Sequence, residues 1–287
     1  MKSKGARLRE LIAKGPVLMP GAPNAAIARQ IEQAGFEAVY ISGAGMANAT
    51  AGVPDIGLLT LTEVARLAGY IARVVRIPAI VDADTGFGGA ENVGRTIFEL
   101  ESTGLAGCHI EDQEFPKRCG HLAGKSIVEV EEMVGKIKAA VEARRDRDFM
   151  IIARTDARAV EDFDQAVTRA NQYLAVGADA IFPEALQSAD EFRDFAKAVK
   201  APLLANMTEF GKSPLLSFKE LADFGYRMVI FPMSAFRVAM KASEGFLAGL
   251  KKAGTQTDWM DKMQTRQELY ALLGYDPSAA SWPGFSD

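Results

Sequence analysis

Short apolar runs alternate along the chain with longer segments in which apolar residues recur at helical spacing. The segments NVGRTIFELESTG and VEEMVGKIKAAVEARR place apolar residues at i, i+3 and i+4, which is typical of amphipathic helices. Eight runs are rich in β-branched residues or end in Gly, Asp or Asn, and we interpret them as strands: 17–24, 38–45, 78–88, 106–113, 149–157, 179–185, 202–211 and 228–236. Glycines stand at the predicted helix ends before several of these strands, as C-caps require: Gly35, Gly104, Gly177 and Gly225.

The order of these elements predicts an α/β fold. Near-continuous apolar strands that alternate with helices indicate a parallel sheet covered on both faces. Eight such units, with no linker rich in Pro, Gly or Ser, favour a closed (β/α)8 TIM-type barrel that forms a single domain over residues 1–287. An open, doubly wound sheet is the alternative. Residues from about 238 to 287 are predicted to form a C-terminal helical extension that packs on a neighbouring subunit.

Composition narrows the class of protein. Of the 287 residues, 48% are hydrophobic, which is enough for a large core. A net charge of −4 and the absence of a polybasic block argue against a nucleic acid or membrane-surface partner. No run reaches the roughly 18 apolar residues of a membrane span. Two cysteines, and an N-terminus without a signal-peptide core, favour the reducing cytoplasm.

Polar residues gather where the predicted strands end, which is where parallel barrels carry their active sites. Charged side chains at such positions are costly unless they are paired or bind a metal or ligand. In strand order, from the second strand to the eighth, these residues are Ser42, Gly43 and Ala44; Asp82 and Asp84; Glu111; Arg154; Glu184; Asn206, Met207 and Thr208; and Arg237.

Three of these residues, Asp82, Asp84 and Glu111, are candidate metal ligands. Carboxylate oxygens suit Mg²⁺ or Mn²⁺, and no His or Cys is clustered with them. The D-x-D spacing predicts that Asp82 and Asp84 share one face of a strand. The alternative is a salt-bridge network in which these acids pair with Arg154 or Lys117.

The arginines suggest an anionic ligand. Arg118, Arg154 and Arg237 have the fork geometry that binds carboxylates, so a metal beside them indicates a small di- or tricarboxylate. The segment 42–49, SGAGMANA, resembles a dinucleotide-binding loop but reads G-x-G-x-x-N. It also lacks the acidic partner of that motif, which argues against NAD.

The segment EFPKRCGH at 114–121 places Cys119 among cationic residues, in a stretch too charged for a core. Neighbouring cations favour the thiolate, so Cys119 is a candidate nucleophile or acid–base group. A merely tolerated surface cysteine is the alternative. Cys108, in an apolar strand, is expected to be a buried small hydrophobe.

Several of these motifs together resemble the isocitrate lyase / phosphoenolpyruvate mutase superfamily. The motifs are KRCGH (117–121), VDADTGFG (81–88), HIEDQ (109–113) and ARTDA (153–157). Four more narrow the resemblance to members that cleave 2-methylisocitrate: FPEA (182–185), NMTEFG (206–211), PMSAFR (232–237) and MQTRQELY (263–270). The resemblance extends over roughly residues 8 to 275.

The resemblance implies a (β/α)8 barrel whose last helix is swapped between the subunits of a homotetramer. It implies Mg²⁺ at Asp82 and Asp84, with Glu111 near the metal or its waters. The implied contacts with a tricarboxylate substrate are Ser42, Gly43, Ala44, Cys119, Gly120, His121, Arg154, Glu184, Asn206, Met207, Thr208, Arg237 and Arg266. Ala44 and Met207 depart from the residues usual in the superfamily, and so does Leu122, which follows KRCGH.

The implied reaction is the cleavage of 2-methylisocitrate to pyruvate and succinate, in the methylcitrate cycle of propionate catabolism. Tyr40 and Asp55 are the candidate bases for the substrate hydroxyl, and Cys119 is the candidate proton donor to the carbanion. Other superfamily activities stay open: isocitrate lyase, oxaloacetate decarboxylase or a phosphonate-handling enzyme. A catalytically silent, metabolite-binding oligomer is the non-enzymatic alternative.

Overall fold

The computed structural model describes residues 2–122 and 124–279, and in it eight parallel strands close into a barrel. Two ladders, β2 to β6 in chain order and β7-β8-β1, are joined by bridges between Gly21 and Tyr40 and between Ile181 and Leu203. The strands are β1 (Val17–Pro20), β2 (Val39–Ile41), β3 (Ala79–Asp82), β4 (Gly107–Glu111), β5 (Met150–Thr155), β6 (Ala180–Pro183), β7 (Leu204–Asn206) and β8 (Met228–Phe231). The predicted (β/α)8 barrel is therefore confirmed, and the open sheet is excluded.

Twelve α-helices cover and extend this barrel within the described residues. They are α1 (Lys4–Lys14), α2 (Ala25–Gln33), α3 (Gly43–Met46), α4 (Leu61–Val74), α5 (Ala90–Ser102), α6 (Val130–Ala143), α7 (Ala157–Val160), α8 (Phe163–Ala175), α9 (Ala189–Ala198), α10 (Phe218–Phe224), α11 (Ser234–Ala253) and α12 (Arg266–Leu273). Capping boxes begin α4, α10 and α12, where a Thr or Ser and the Glu three residues later bond reciprocally. The glycines predicted to follow helices all adopt left-handed φ values of 83–107°.

Strand alternation divides the interior into two cores. Residues such as Met150 and Ile152 face the barrel axis, whereas Ile151 and Ala153 face the helices. The inner core is closed at the amino end of the strands by α1, which inserts Leu8 and Ile12. Cys108 faces the outer core and is fully buried, as predicted, and burial raises the pKa of its thiol.

The plug formed by α1 yields a stability prediction. Leu8 is fully buried in the inner core, so Leu8→Ala leaves a cavity that the strand framework cannot fill. We expect a loss of about 2–5 kcal/mol in the free energy of unfolding, measured by urea denaturation. Leu11→Ala is the matched control, because Leu11 is on the same helix but only partly buried. A loss no larger than that of the control would contradict the plug.

The C-terminal extension begins earlier than the sequence pattern indicated. β8 ends at Phe231 and α11 begins at Ser234, so Arg237 lies in the first turn of a helix instead of at a strand end. No residue of α11 is buried within its own chain, whereas α12 packs on α2. Residues 280–287 of the predicted extension lie outside the described residues. No helix in the described part is long and apolar enough to cross a membrane.

Candidate active site

The inward-facing positions at the carboxyl ends of the strands carry the polar residues of the site. Alternation along each strand directs one residue in two toward the barrel axis, so these side chains continue the inner core upward as a polar layer. The layer is formed by Tyr40, Ser42, Asp82, His109, Glu111, Arg154, Glu184 and Asn206, and all but Asn206 are buried. Because so many charged groups are buried, their partners decide what the site can do.

Asp82 and Asp84 come together through a turn and not along one strand face as predicted. β3 ends at Asp82, and Asp84 takes a left-handed φ of 46° while its N–H donates to Asp82 Oδ1 at 3.0 Å. The backbone of Gly43 packs against both acids: a Cβ on this residue would lie 2.9 Å from Asp82 Oδ2 and 3.4 Å from Asp84 Oδ1. Oxygens of both carboxylates therefore converge on the space beside Gly43.

Lys117 inserts its ammonium group among these acids. Its Nζ lies 2.8 Å from Asp84 Oδ1 and also contacts the carboxylate of Asp55, and the side chain is only 2% exposed. Burial alone lowers the pKa of Lys117, but Asp84, Glu111, Asp82 and Asp55 outweigh it and raise this pKa well above its usual value. Burial, together with the charges of Asp82 and Asp55, raises the pKa of Asp84 to about 6. The loop lysine is thus a built-in counterion of the acidic cluster.

Arg154 is surrounded by carboxylates, so its guanidinium group is not free to bind a ligand carboxylate in pairs of hydrogen bonds. Its Nε lies 2.9 Å from Asp156 Oδ2 and 3.3 Å from Glu111 Oε2, and Nη1 lies 3.2 Å from Glu184 Oε2. A second cation, Lys125, contacts Asp156 Oδ1, which also accepts from Arg154 Nη2 at 3.2 Å. The salt-bridge network considered as an alternative is therefore present, and Arg154 is held in place by it.

Tyr40 and His109 form a buried pair beneath the cavity. The Tyr40 hydroxyl lies 2.8 Å from His109 Nε2, and the two rings stack. Burial raises the pKa of Tyr40 well above 10 and lowers that of His109 to about 4, so both groups are neutral near pH 7. A phenol of this kind donates a hydrogen bond and is a poor base, which disfavours the predicted base role of Tyr40.

The segment that carries Cys119 lies folded over the carboxyl end of the barrel. The Gln113 side chain bonds the backbone of Arg118 twice, at 2.9 and 3.0 Å. Beyond Cys119, His121 Nε2 lies 2.8 Å from Glu184 Oε1, and His121 Nδ1 accepts the N–H of Lys212 at 3.0 Å. The loop is therefore fastened both to the barrel and to the segment that follows β7.

The surroundings of Cys119 favour the thiol over the thiolate. Burial raises the pKa of Cys119, and the nearby Glu184 adds to this effect. Two of the groups expected to favour a thiolate are engaged elsewhere, since Lys117 pairs with Asp55 and Asp84 and His121 contacts Glu184. The raised pKa therefore disfavours the thiolate predicted from neighbouring charges, and a thiol at this position suits a proton donor.

Gly120 allows the loop to approach the barrel closely. A Cβ at this position would lie 2.4 Å from both Arg154 Nη2 and Glu184 Cγ, so Gly120→Ala must displace either the loop or the Arg154–Glu184 pair. We expect kcat/KM to fall about 100-fold, because misplacement by an ångström removes positioned catalysis. Gly135→Ala is the control, since its Cβ meets no atom within 4 Å. Equal kinetics for the two variants would show that the closed loop has no catalytic role.

A cavity of about 180 Å³ lies between the loop and the strand ends. Of the residues predicted for the site, those that line it are Tyr40, Ser42, Ala44, Asp55, Asp82, Cys119, Gly120, His121, Arg154, Glu184, Asn206, Thr208 and Arg237. Gly43, Asp84 and Glu111 pack directly behind this lining. Residues that line the cavity but were absent from the predicted set are Asn48, Lys117, Phe182, Pro232 and Met233, with Arg118, which was predicted only as an anion ligand.

Three predicted contacts lie elsewhere or are otherwise engaged. Met207 packs in the outer core, because it follows the inward-facing Asn206 and so points the other way. Arg266 is exposed on α12 and does not line the cavity of its own chain. Arg237 reaches the edge of the cavity, 3.5 Å from Glu209 and stacked over the exposed ring of Phe210.

The acidic cluster fits a hydrated divalent ion better than a fully protein-bound one. Among the described residues, no three His, Cys, Asp or Glu side chains are placed to hold one metal ion together. Asp82 and Asp84 nevertheless direct oxygens into one space, and neither buried oxygen of Glu111 accepts a hydrogen bond from a described residue. Mg²⁺ is commonly bound in this way, by one or two carboxylates and several waters.

Sequence and structure comparisons agree with this architecture. The model of the family described as phosphoenolpyruvate phosphomutase matches residues 8–250, and the chain belongs to this family. Within it, the chain is 55% identical over 276 residues to the 2-methylisocitrate lyase of Aeropyrum pernix, covering 96% of this chain and 89% of the relative.

Two solved structures extend the comparison. A crystal structure of 2,3-dimethylmalate lyase superposes with a TM-score of 0.92 at 35% identity, covering 100% of this chain and 99% of that one. Phosphonopyruvate hydrolase in complex with oxalate and Mg²⁺ superposes with a TM-score of 0.86 at 33% identity, covering 95% of this chain and 95% of that one.

Proposed function

We propose that this protein is a lyase that cleaves 2-methylisocitrate to pyruvate and succinate, as a step of propionate catabolism in the cytoplasm. The observation that carries the proposal is the position of Cys119, whose thiol faces the same small cavity as the buried acids. The relative from Aeropyrum pernix with the same activity is 55% identical, which supports this substrate over others of the family.

We propose Mg²⁺ as the cofactor, with Mn²⁺ as the alternative. Asp82 and Asp84 would hold the ion directly, and the oxygens of Glu111, which accept no hydrogen bond from a described residue, would accept hydrogen bonds from its waters. When bound, the ion supplies positive charge that stabilises the negative oxygens formed during cleavage. The complex of phosphonopyruvate hydrolase with Mg²⁺ supports this choice.

Proton transfers by residues of this chain would begin and end the reaction. Asp55 is the better candidate for the base, because it is a carboxylate at the cavity while Tyr40 is held as a neutral phenol. Asp55 would accept the hydroxyl proton, and the bond between the hydroxyl-bearing carbon and its neighbour would then break. Pyruvate leaves as one product, and the electron pair stays on the succinate fragment. The Cys119 thiol would donate its proton to that carbon, which completes succinate.

Cavity residues would orient the substrate and exclude water during these steps. Hydroxyl, amide and guanidinium groups that line the cavity would bind the carboxylates: Ser42, Arg118, Asn206, Thr208 and Arg237. Arg154 would supply positive charge from within its own network. The folded loop keeps bulk water from the carbanion, which would otherwise be protonated without control.

Turnover of four candidate substrates tests the proposal. Purified protein with Mg²⁺ is incubated separately with 2-methylisocitrate, isocitrate, 2,3-dimethylmalate and oxaloacetate, and keto-acid release is followed. We expect the highest kcat/KM for 2-methylisocitrate, with isocitrate lower by about 10- to 200-fold, because one methyl group in an apolar pocket is worth about 1–3 kcal/mol. A higher value for any of the other three substrates would contradict the assignment, and no turnover at all would favour a silent binding protein.

We also propose that the protein is a homo-oligomer, most simply the tetramer implied by the sequence. α11 has 20 residues and none is buried within the chain, while Val238 is 70% and Leu247 60% exposed. Such a helix is stable when a second copy covers it.

Substituting Leu247 tests this assembly. We expect Leu247→Asp to lower the mass measured by light scattering toward that of a smaller species, because a charge then enters an apolar contact. Lys251→Asp is a control on the last turn of the same helix. If the wild-type protein is a monomer at micromolar concentration, the oligomer is wrong.

A further inference from the structure

A second polar cavity lies at the opposite end of the barrel from Cys119. It has a volume of about 480 Å³ and is bordered by the segment 74–77, immediately before β3 begins. Four arginines, one acid and three apolar residues line it: Arg7, Arg29, Arg73, Arg76, Glu32, Val74, Val75 and Ile77. We call this space the arginine cavity. Its arginines come from α1, α2, the last turn of α4 and the segment that follows α4.

Neighbouring side chains neutralise only part of the positive charge of the arginine cavity. None of its four arginines forms an ion pair with an acidic residue in the described part of the chain, although the protein carries a net charge of −4. The one acid, Glu32, already accepts the backbone N–H groups of Arg76 and Ile77 at 2.7 and 3.1 Å. Lys4, which bonds Val75 O at 2.7 Å, adds a further cation nearby.

Two of the arginines have a structural role and two have none in the described residues. Arg7 donates to Arg76 O at 3.1 Å, and Arg29 donates to Leu272 O at 3.3 Å, at the end of α12. The side chains of Arg73 and Arg76 donate no hydrogen bond to any described residue and are exposed. Hydrogen bonds to backbone carbonyls therefore explain Arg7 and Arg29, whereas the guanidinium groups of Arg73 and Arg76 are free to bind a ligand.

We propose that the arginine cavity is a second ligand site, for a small molecule with two or three negative charges on clustered oxygens. Four guanidinium groups against one carboxylate leave an excess of three positive charges, which suits such an anion. Guanidinium forks bind phosphate and carboxylate oxygens in pairs, so a phosphorylated compound and a polycarboxylate share the required chemistry. The site lies outside the catalytic cavity, so its ligand is not the substrate undergoing cleavage.

Titration calorimetry on the full-length protein tests the site. Sodium pyrophosphate and sodium citrate are titrated separately into the wild type and into Arg73→Ala/Arg76→Ala. The double variant is expected to bind at least one of the two anions tenfold more weakly, and the anion with the greater loss identifies the preferred chemistry. Any binding at the catalytic cavity is common to both proteins and cancels in the comparison. Lyase turnover without added anion is expected to be unchanged.

Two further variants distinguish anion binding at this particular cavity from nonspecific electrostatic attraction to the protein surface. Arg66→Ala/Arg193→Ala removes the same charge from exposed arginines that contact Tyr70 and Asp190 outside the cavity, and it is expected to bind both anions as the wild type does. Arg73→Lys/Arg76→Lys retains the charge but loses the forks, and an intermediate affinity is expected. If Arg73→Ala/Arg76→Ala binds both anions normally, or if the Arg66/Arg193 pair weakens binding equally, the proposal is wrong.

Discussion

Cys119→Ser is expected to lower kcat for 2-methylisocitrate by about 10²–10⁴-fold, the usual contribution of a positioned acid. The serine hydroxyl fits the same space, but it is a far weaker acid than a thiol and donates its proton to carbon poorly. The fold and the loop contacts should persist, because Gln113 and His121 fasten the loop on either side of Cys119. Steady-state kinetics with 2-methylisocitrate measure the effect. A variant that retains the wild-type rate would remove Cys119 from the mechanism.

The other cysteine provides the matched control. Cys108 is buried in the outer core, facing away from the cavity, so Cys108→Ala should leave kcat near the wild-type value. The pH profile adds a second readout. A proton donor must be protonated, so activity that depends on Cys119 is present below its raised pKa and is lost above it. We expect the alkaline limb of kcat/KM to lie above the pH range in which a free cysteine loses its proton, because burial raises the pKa of Cys119. An alkaline limb near pH 7 would instead indicate that Cys119 is a thiolate at neutral pH.

Asp84→Asn is expected to lower kcat/KM by about 10²–10³-fold. A bound divalent ion stabilises the charge of the transition state by several kcal/mol, and the variant would hold this ion less well. The substitution keeps the shape of the side chain but removes the charge that faces Lys117 and converges with Asp82. The concentration of Mg²⁺ needed for half-maximal rate should also rise. Chelation of the wild-type protein should abolish turnover, and added Mg²⁺ should restore it.

A substitution outside the site serves as the control for the loss of one negative charge. Asp223→Asn on α10 removes the same charge from an exposed pair with Lys219, and it should change neither the rate nor the Mg²⁺ requirement. Activity that survives both chelation and Asp84→Asn would show that the reaction needs no divalent ion at the acidic cluster.

The barrel and much of the site were predictable because strand alternation is a strong constraint. Apolar runs interrupted by helical periodicity gave eight strands, and the residues that end them fell at one end of the barrel. The same alternation could have corrected one prediction. Asn206 and Met207 are consecutive in an extended segment, so only one of them can face the axis, and the structure directs Met207 into the outer core.

Other features depend on geometry that no local pattern encodes. The left-handed turn at Asp84 is set by a hydrogen bond to Asp82, and a D-x-D motif alone fits an extended strand equally well. The pairing of Lys117 with Asp55 arises only when a loop folds across the barrel, between residues 62 positions apart. The start of α11 was placed too late because PMSAF continues the apolar strand pattern, and Arg237 was consequently assigned to the wrong element.

Closure of the barrel between its first and last strands delays the completion of folding until late in synthesis. Val17 pairs with Met228, so the partner of β1 leaves the ribosome only after more than two hundred further residues have been translated. Until then Met19 and the apolar face of α1 have no complete surface to pack against. A nascent chain that stops short of β8 therefore exposes its inner core, and its rescue by chaperones, or its loss to proteases, should decline sharply once residue 231 has emerged.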